Sequence, residues 1–307
     1  MDYAGAREAF FQPRPAGSAA AGTDDWDGPG RALRAAIEPI ATICFWSEPA
    51  SEVYGRIGLD FLTGYVWSRG CVLGEPEPTV VASAFAVFEP SVIAGLYEAA
   101  RSAAPLAAVR AAREEAAVTS LTAVLGDPRG EVAGELERTT EALERGVAAI
   151  DTTGRPMSAG LAALPVPSDP WGRLWHAATR LREFRGDSHV AAYLAAGITG
   201  LEANLLTERR IGWEPFAYTG TRAWSPEVMG AAVEGLRERG LLEGDALSEH
   251  GRAVRDEVEA VTERQLAPVR DAIGGELPAV TATCSAWSER IVERGWFPPD
   301  PYKRAGG

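Results

Sequence analysis

"SPEVMGAAVEGLRERGLLEGDALSEHGRAVRDEVEAVTER", residues 225–264, holds a helix, a tight turn between two short apolar runs, and a second helix in one continuous run. Ser225 is placed to cap a helix that opens on Pro226, whose fixed φ suits a first helical turn. Apolar residues recur at helical spacing through "VMGAAVEGLRERGLL" until Gly240 ends the pattern. "GLLEGDALSEHG" then sets an apolar pair and "ALS" on either side of a Gly-Asp turn, a small hairpin that ends over Ser248 to Gly251. "RAVRDEVEAVTERQLAPVRDAI" continues as a long amphipathic helix. Upstream, the spacing predicts helices at 171–184, 188–197 and 199–210. With 225–240, the hairpin and 251–273, the order is that of a winged-helix domain.

Outward from this stretch the chain divides into five segments. Residues 1–30 contain "PRPAGSAAAGTDDWDGPG" and read as a flexible arm. Residues 31–150 show helical periodicity broken at short joints such as "GEPEP" and "GDPRG", a helical domain in its own right. Residues 151–170 carry four prolines and form a connector. Residues 171–275 are the winged-helix domain, and 276–307 a C-terminal extension. "PSVIAGLYEAA" in the first half echoes "PEVMGAAVEGL" in the second, so the first domain is expected to be a degenerate winged helix. The fold class is then mainly α, with tandem winged-helix domains and one small hairpin wing.

"LWHAATRLREFRGDSHVAAYLAAGITGLEA", followed by the stretch quoted first, resembles an actinobacterial family of MarR-like helix-turn-helix proteins of the SalHTH type. "VYGRIGLDFLTGYVWSRGCVLG" is similar to the N-terminal region of the same family, and the resemblance spans roughly residues 31–275. It implies an α-helical winged-helix architecture with a ligand pocket between domains. It supplies no reaction.

Composition narrows the function classes. The net charge is −13, and Lys303 is the only lysine. Nucleic-acid binding draws most of its affinity from phosphate neutralisation. In the helix from Ser225, Glu227, Glu234 and Glu238 stand against Arg237 and Arg239, and the wing adds Glu243, Asp245 and Glu249. That face meets phosphate with the wrong sign, so duplex DNA is not the expected partner. The apolar runs are about half the ~20 residues that a membrane span needs, which makes a cytoplasmic protein the expectation. Cys44, Cys71 and Cys284 are odd in number and lack CxxC spacing, so buried thiols are expected, without disulfides or structural zinc. No phosphate-cradling loop, nucleophile elbow or His/Cys ligand set is present in the sequence, and no cofactor or metal is expected.

Chemistry-bearing side chains concentrate in "LREFRGDSHVAAY". Arg182 and Arg185 offer guanidiniums, Asp187 a cap for a helix starting after Gly186, and His189 and Tyr193 an imidazole and a phenol one turn apart. Such a group suits a small, partly aromatic or acidic molecule, with His189 and Tyr193 as the acid–base pair if the molecule is transformed. Tyr54 and Trp67 supply an aromatic stripe in the first half. Trp213 and Tyr218 belong to "GWEPFAYTGTRAW", a connector long enough to cover a pocket. The function expected is small-molecule binding in an interdomain pocket, within secondary metabolism and with cofactor-independent acid–base catalysis as its extension. A ligand-responsive MarR-like regulator is the alternative, and a homodimer is compatible with either.

Overall fold

The computed structural model describes residues 1–11 and 28–300. Helices dominate, and a single two-strand sheet is the only sheet among the described residues. Helix α1 (Tyr3–Phe10) is capped by Asp2, whose Oδ1 accepts from the Gly5 N–H at 2.8 Å. Residues 3–10, within the segment read as a flexible arm, are helical. Tyr3 and Phe10 pack on Phe61 at ring separations of 6.4 and 6.1 Å, and Phe10 meets Trp46 at 6.2 Å. Aromatic burial of this kind outweighs the entropy of ordering one short helix. Residues 12–27 of the expected arm lie outside the described residues.

The first half continues as α2 (Pro29–Trp46), α3 (Glu48–Arg56), α4 (Phe61–Gly70), α5 (Pro78–Phe85), α6 (Pro90–Ala103), α7 (Leu106–Leu125), α8 (Ala133–Ala148) and α9 (Pro156–Ala162). Local chemistry sets several starts. Ser47 caps α3, Asp60 and Thr63 form a reciprocal capping box on α4, and Glu89 accepts from the Val92 N–H at 2.7 Å to cap α6. No hairpin follows α6, which passes into α7 through Ala104 and Pro105. Helix α9 lies inside the segment read as a connector.

Helix α10 (Pro170–Ala195) departs most from the sequence reading. Asp169 caps it, accepting from Trp171 N at 2.9 Å and Gly172 N at 3.2 Å. It then runs unbroken through Gly186, where two helices were expected. A mid-helix glycine costs about 1 kcal/mol relative to alanine, less than the burial of Leu181, Phe184 and Tyr193 on either side contributes. Asp187 is therefore interior to the helix, and its carboxylate accepts from the Ser158 N–H of α9 at 2.9 Å instead of capping anything.

Helix α11 (Gly200–Arg210) begins with a Thr199/Glu202 capping box and meets α10 at 96°. Helix α12 (Pro226–Glu238) starts on Ser225 as its sequence predicts. Strands β1 (Leu242–Glu243) and β2 (Ala246–Leu247) pair antiparallel, Leu242 opposite Leu247. Then come α13 (Glu249–Gln265), α14 (Ala267–Ile273) and α15 (Leu277–Glu293). Gly251 is obligatory where α13 crosses the hairpin, because a Cβ there would sit 2.1 Å from the Leu241 carbonyl oxygen.

Two hydrophobic clusters organise these helices. The larger gathers α2 to α9, the first part of α10, and α14 and α15; Trp171 packs on Trp287 at 5.7 Å, and Ser288 Oγ donates to the Ala36 carbonyl at 2.6 Å. The C-terminal extension thus returns to the first half. The smaller cluster holds Tyr193, Leu205, Leu206, Val233, Leu236, Leu247 and Val258, together with Val87 from the first half. Helix α10 spans both clusters, its residues up to Phe184 in the larger and Ala192 and Tyr193 in the smaller.

Candidate functional site

The turn at residues 86–89, between α5 and α6, bolts the two clusters together. The Val87 carbonyl accepts from Asn204 Nδ2 at 3.1 Å and from Trp224 Nε1 at 2.9 Å, and the Glu89 N–H donates to the Arg222 carbonyl at 2.9 Å. Gly200 makes this approach feasible, since a Cβ there would lie 2.3 Å from the Ala86 carbonyl oxygen. Ala86, Phe216 and Ala223 adopt positive φ, an uncommon state for non-glycine residues that surrounding contacts must impose.

The connector from Ile211 to Trp224 is held by one side chain. Glu208, fully buried on α11, accepts from the backbone N–H groups of Phe216 at 3.1 Å, Tyr218 at 2.8 Å and Thr219. Burial pushes its carboxyl up, and these backbone donors oppose the rise. The connector so fixed separates two cavities.

The larger cavity, about 230 Å³, lies between the first-half helices and residues 220–223. Its walls are Phe45, Trp46, Phe61, Tyr65 and Phe88, and Phe10 of α1 contributes one side. Arg182 reaches it as a charged floor, embedded in a buried network. Its Nε donates to Glu38 Oε1 at 3.0 Å and its Nη1 to Glu183 Oε1 at 2.5 Å. Arg69 grips Glu183 with two bonds of 3.2 and 3.1 Å and stacks on Phe85 at 4.6 Å. Burial opposes the charge on Glu183, but Arg69 and Arg182 outweigh it and hold the carboxyl at about 2.

The smaller cavity, about 80 Å³, lies across the connector and is lined by Arg185, His189, Tyr193 and Tyr218. Arg185 Nη2 donates to Glu259 Oε2 at 2.9 Å. His189 Nδ1 lies 3.1 Å from Thr262 Oγ1, and the ring packs edge-on against Tyr193 at 5.8 Å. Burial drives the imidazole down to about 3; Glu259 opposes this, and Arg185, Arg255 and Arg34 reinforce it. Tyr193 is pushed up to about 12 by burial. An imidazole held neutral and a phenol held protonated at neutral pH are poorly matched to proton transfer there.

The residues singled out from the sequence therefore separate. Arg185, His189, Tyr193 and Tyr218 share the small cavity, while Arg182 faces the large one. Trp213 packs edge-on against Tyr218 at 5.6 Å, within the connector. Asp187 binds α9 and lines neither cavity. Tyr54 and Trp67 are core side chains that line neither cavity; the Trp67 Nε1 donates to the Ala104 carbonyl at 2.8 Å, and its ring meets Tyr97 at 5.2 Å. Sequence reasoning missed Glu38, Glu183, Glu208 and Glu259. Glu38 and Glu183 carried a readable signal, an acidic residue inside an apolar helical run ("AAIEPIATI", "LREF"), which requires a buried cationic partner.

Helix α12 presents an acidic exposed face. Its exposed residues include Glu227, Val228, Ala231, Glu234 and Glu238. Arg237 is tied to Glu234 and, at 2.7 Å, to Asp245 of the hairpin turn, and Arg239 to Glu202 at 2.7 Å. No metal-binding cluster of His, Cys, Asp and Glu occurs among the described residues, and the three cysteines are buried as free thiols. No single helix among them is long and apolar enough to cross a membrane.

Residues 30–298 match the sequence profile of a helix-turn-helix family. No curated protein and no solved structure matches the chain.

Proposed function

Starting from a chain that belongs to the helix-turn-helix family, we propose that it binds a compact, partly aromatic small molecule in the larger cavity. The observation that carries this reading is the cavity itself: about 230 Å³, walled by six aromatic side chains of the first half and bordered by residues 220–223. An apolar cavity of about 150 Å³ already accommodates benzene, so a bicyclic ring system is the expected scale. Preformed apolar chambers with a few oriented polar groups are the usual form of small-molecule sites. Here Arg182, Thr221 and Arg222 supply the polar groups. Among the described residues lining the cavity there is no His, Cys, Asp or Glu, which favours binding over acid–base turnover. The MarR-like reading of the second half rests on α10 to α13 and the hairpin. Its wingless counterpart in the first half would be α4 to α6, since α6 and α12 both open on proline behind a capping side chain.

Trp46 provides the readout. Titration with 2-naphthol should quench its fluorescence saturably and raise the melting temperature. Val92→Trp, at the half-exposed rim of the cavity, should abolish both effects while leaving the fold intact. A native protein that ignores 2-naphthol and other one- and two-ring aromatics would remove this reading.

The second reading, a ligand-responsive regulator, is favoured by the helix-turn-helix order but opposed by the acidic exposed face of α12. Anisotropy of labelled duplex DNA at about 150 mM salt, where the screening length is about 8 Å, distinguishes the two. No binding above micromolar strength is expected for the native chain. Submicromolar, sequence-specific binding would promote the regulator.

A further inference from the structure

Where α7 packs on α10, two arginines and a histidine come together away from both cavities. Arg113 of α7 stacks its guanidinium on the Trp175 ring at 4.5 Å and is only 4% exposed. His176, the next residue of α10, is 5% exposed, and Arg180 follows one turn later on the same face, partly exposed. Arg113 Nε, His176 Nε2 and Arg180 Nε are all buried without a hydrogen-bond partner, and neither arginine is ion-paired among the described residues. The Trp175 ring answers the Arg113 charge in part, but its face offers no lone pair to the N–H groups. Other groups that feel Arg113 are neutral: burial pushes the Cys44 and Cys71 thiols and the Tyr54 phenol up, Cys44 to about 11, and outweighs the pull of Arg113. The carboxylate that Arg113 helps to hold down, Glu183, is already bonded to Arg69 and Arg182. Burial drives His176 down to about 4, and Arg113 and Arg180 add to the fall with no carboxylate opposing it. An unpaired charge taken out of water is strongly unfavourable, and buried charges are ordinarily met by a counter-charge.

We propose that Arg113, His176 and Arg180 form a binding site for a small monovalent inorganic anion between α7 and α10. The two guanidiniums supply charge-assisted N–H donors, and the neutral imidazole supplies a ring N–H. Arg113 and His176 are the buried floor of the site, and the partly exposed Arg180 is its edge toward solvent. The anion ties α7 to α10 inside the larger hydrophobic cluster, so its role is structural. It lies outside the linings of both cavities, and the site stands independently of the aromatic-ligand reading.

The experiment is chloride NMR of the full chain in a sodium gluconate background at constant ionic strength, gluconate being too bulky to pass between packed helices. Chloride exchanging with a bound state broadens its resonance, and the native chain should show a saturable component of that broadening. Nitrate in a second arm distinguishes the anions: displacement of chloride assigns a site open to planar oxyanions, retention a site selective for halides, and either supports the proposal. Arg180→Gln, at the partly exposed edge, should weaken chloride at least ~tenfold through loss of a charge-assisted hydrogen bond. Arg113→Met should abolish the saturable component. Melting curves give a second reading, since an anion that binds only the folded chain raises its melting temperature with concentration. General salt effects act alike on the native chain and Arg180→Gln, so the chloride-dependent gain of the native chain should exceed that of the variant. Arg113→Met, freed of an unpaired buried charge, should melt in gluconate at least as high as the native chain and gain nothing specific from chloride. Absence of a saturable component in the native chain would overturn the proposal. So would a component undiminished in Arg180→Gln, which decides the matter if Arg113→Met does not fold. Val92→Trp, which plugs the larger cavity, should leave the chloride response untouched, so failure at one site is separable from failure at the other.

Discussion

Arg182 and Arg185 lie on the same helix, less than one turn apart, yet they serve cavities of opposite character. The first is bonded to two buried carboxylates, Glu38 and Glu183, beneath an aromatic chamber. The second shares Glu259 with other guanidiniums in a small polar one. In the larger cavity the charges are matched and withdrawn to the floor, leaving walls suited to an apolar ligand. In the smaller cavity the arginines are paired as well, Arg185 and Arg255 with Glu259 and Arg34 with Glu38, and polar side chains stand where the larger cavity has aromatic walls. The difference teaches that the neighbours of an arginine, more than its mere presence, set the character of the cavity it lines.

The comparison is tested most severely at the floor of the larger cavity. Glu183→Gln leaves Arg69 and Arg182 without their shared partner, and breaking a buried ion pair from one side costs about 3–5 kcal/mol. Denaturant unfolding should show a loss of that order. Arg34→Gln, at the rim of the smaller cavity, should cost far less. Equal losses would mean that the two networks are equally committed to stability, and the contrast between them would fail.

A smaller, localised effect is expected from the wall that separates them. Glu208→Ala removes the acceptor of three backbone N–H groups, and each buried donor left unsatisfied costs about 1–3 kcal/mol before the connector relaxes. Hydrogen exchange should accelerate at Phe216, Tyr218 and Thr219, with little change at the core amides of α2. Uniform acceleration across the chain would show that the connector is not a separable wall.

The pH effects have opposite signs. His189 is held at about 3 when folded against 6.5 as a free group. The unfolded chain therefore takes up the proton first, and stability present above pH 6.5 is lost as pH falls from there toward 3. Asp187 is raised by burial to about 7 from 3.8. Its contribution is fully present below pH 3.8 and is lost as pH rises toward 7. Melting curves across pH 4–8 should show a shallower acid-side loss in His189→Gln. Asp187→Asn should gain on the native chain as pH rises through that window, its amide oxygen still able to accept from Ser158. A His189→Gln profile parallel to the native one would place the imidazole in a less desolvated setting than the smaller cavity provides.

The fold was legible where local chemistry decides it. Ser225 and Pro226 start α12, and Gly244 and Asp245 turn the hairpin; Ser248, read as part of the wing's end, caps α13, which begins two residues earlier than the sequence placed it. The charge of α12 was readable for the same reason, because exposed glutamates stay exposed whatever packs behind them. Two local signals misled. Gly186 and Asp187 read as a break and a cap, but burial on both sides of them keeps α10 continuous. The polar, small-residue composition of the first thirty residues hid Tyr3 and Phe10, whose partners Phe61 and Trp46 are distant in sequence.

By itself, then, the sequence determined a mainly helical chain, a helix–hairpin–helix order near its C-terminal third, an acidic α12, and the concentration of titratable side chains at residues 182–193. Only the tertiary structure decided that these residues split between two cavities, that the extension after residue 276 returns to α2, that Glu208 holds the connector and that Glu259 meets Arg185. The physical reason is range. Caps, turns and periodicity are fixed by neighbours along the chain, whereas a buried charge is fixed by a partner across the fold: Arg182 finds Glu38 and Arg185 finds Glu259, and neither pairing leaves a trace in the spacing of the sequence.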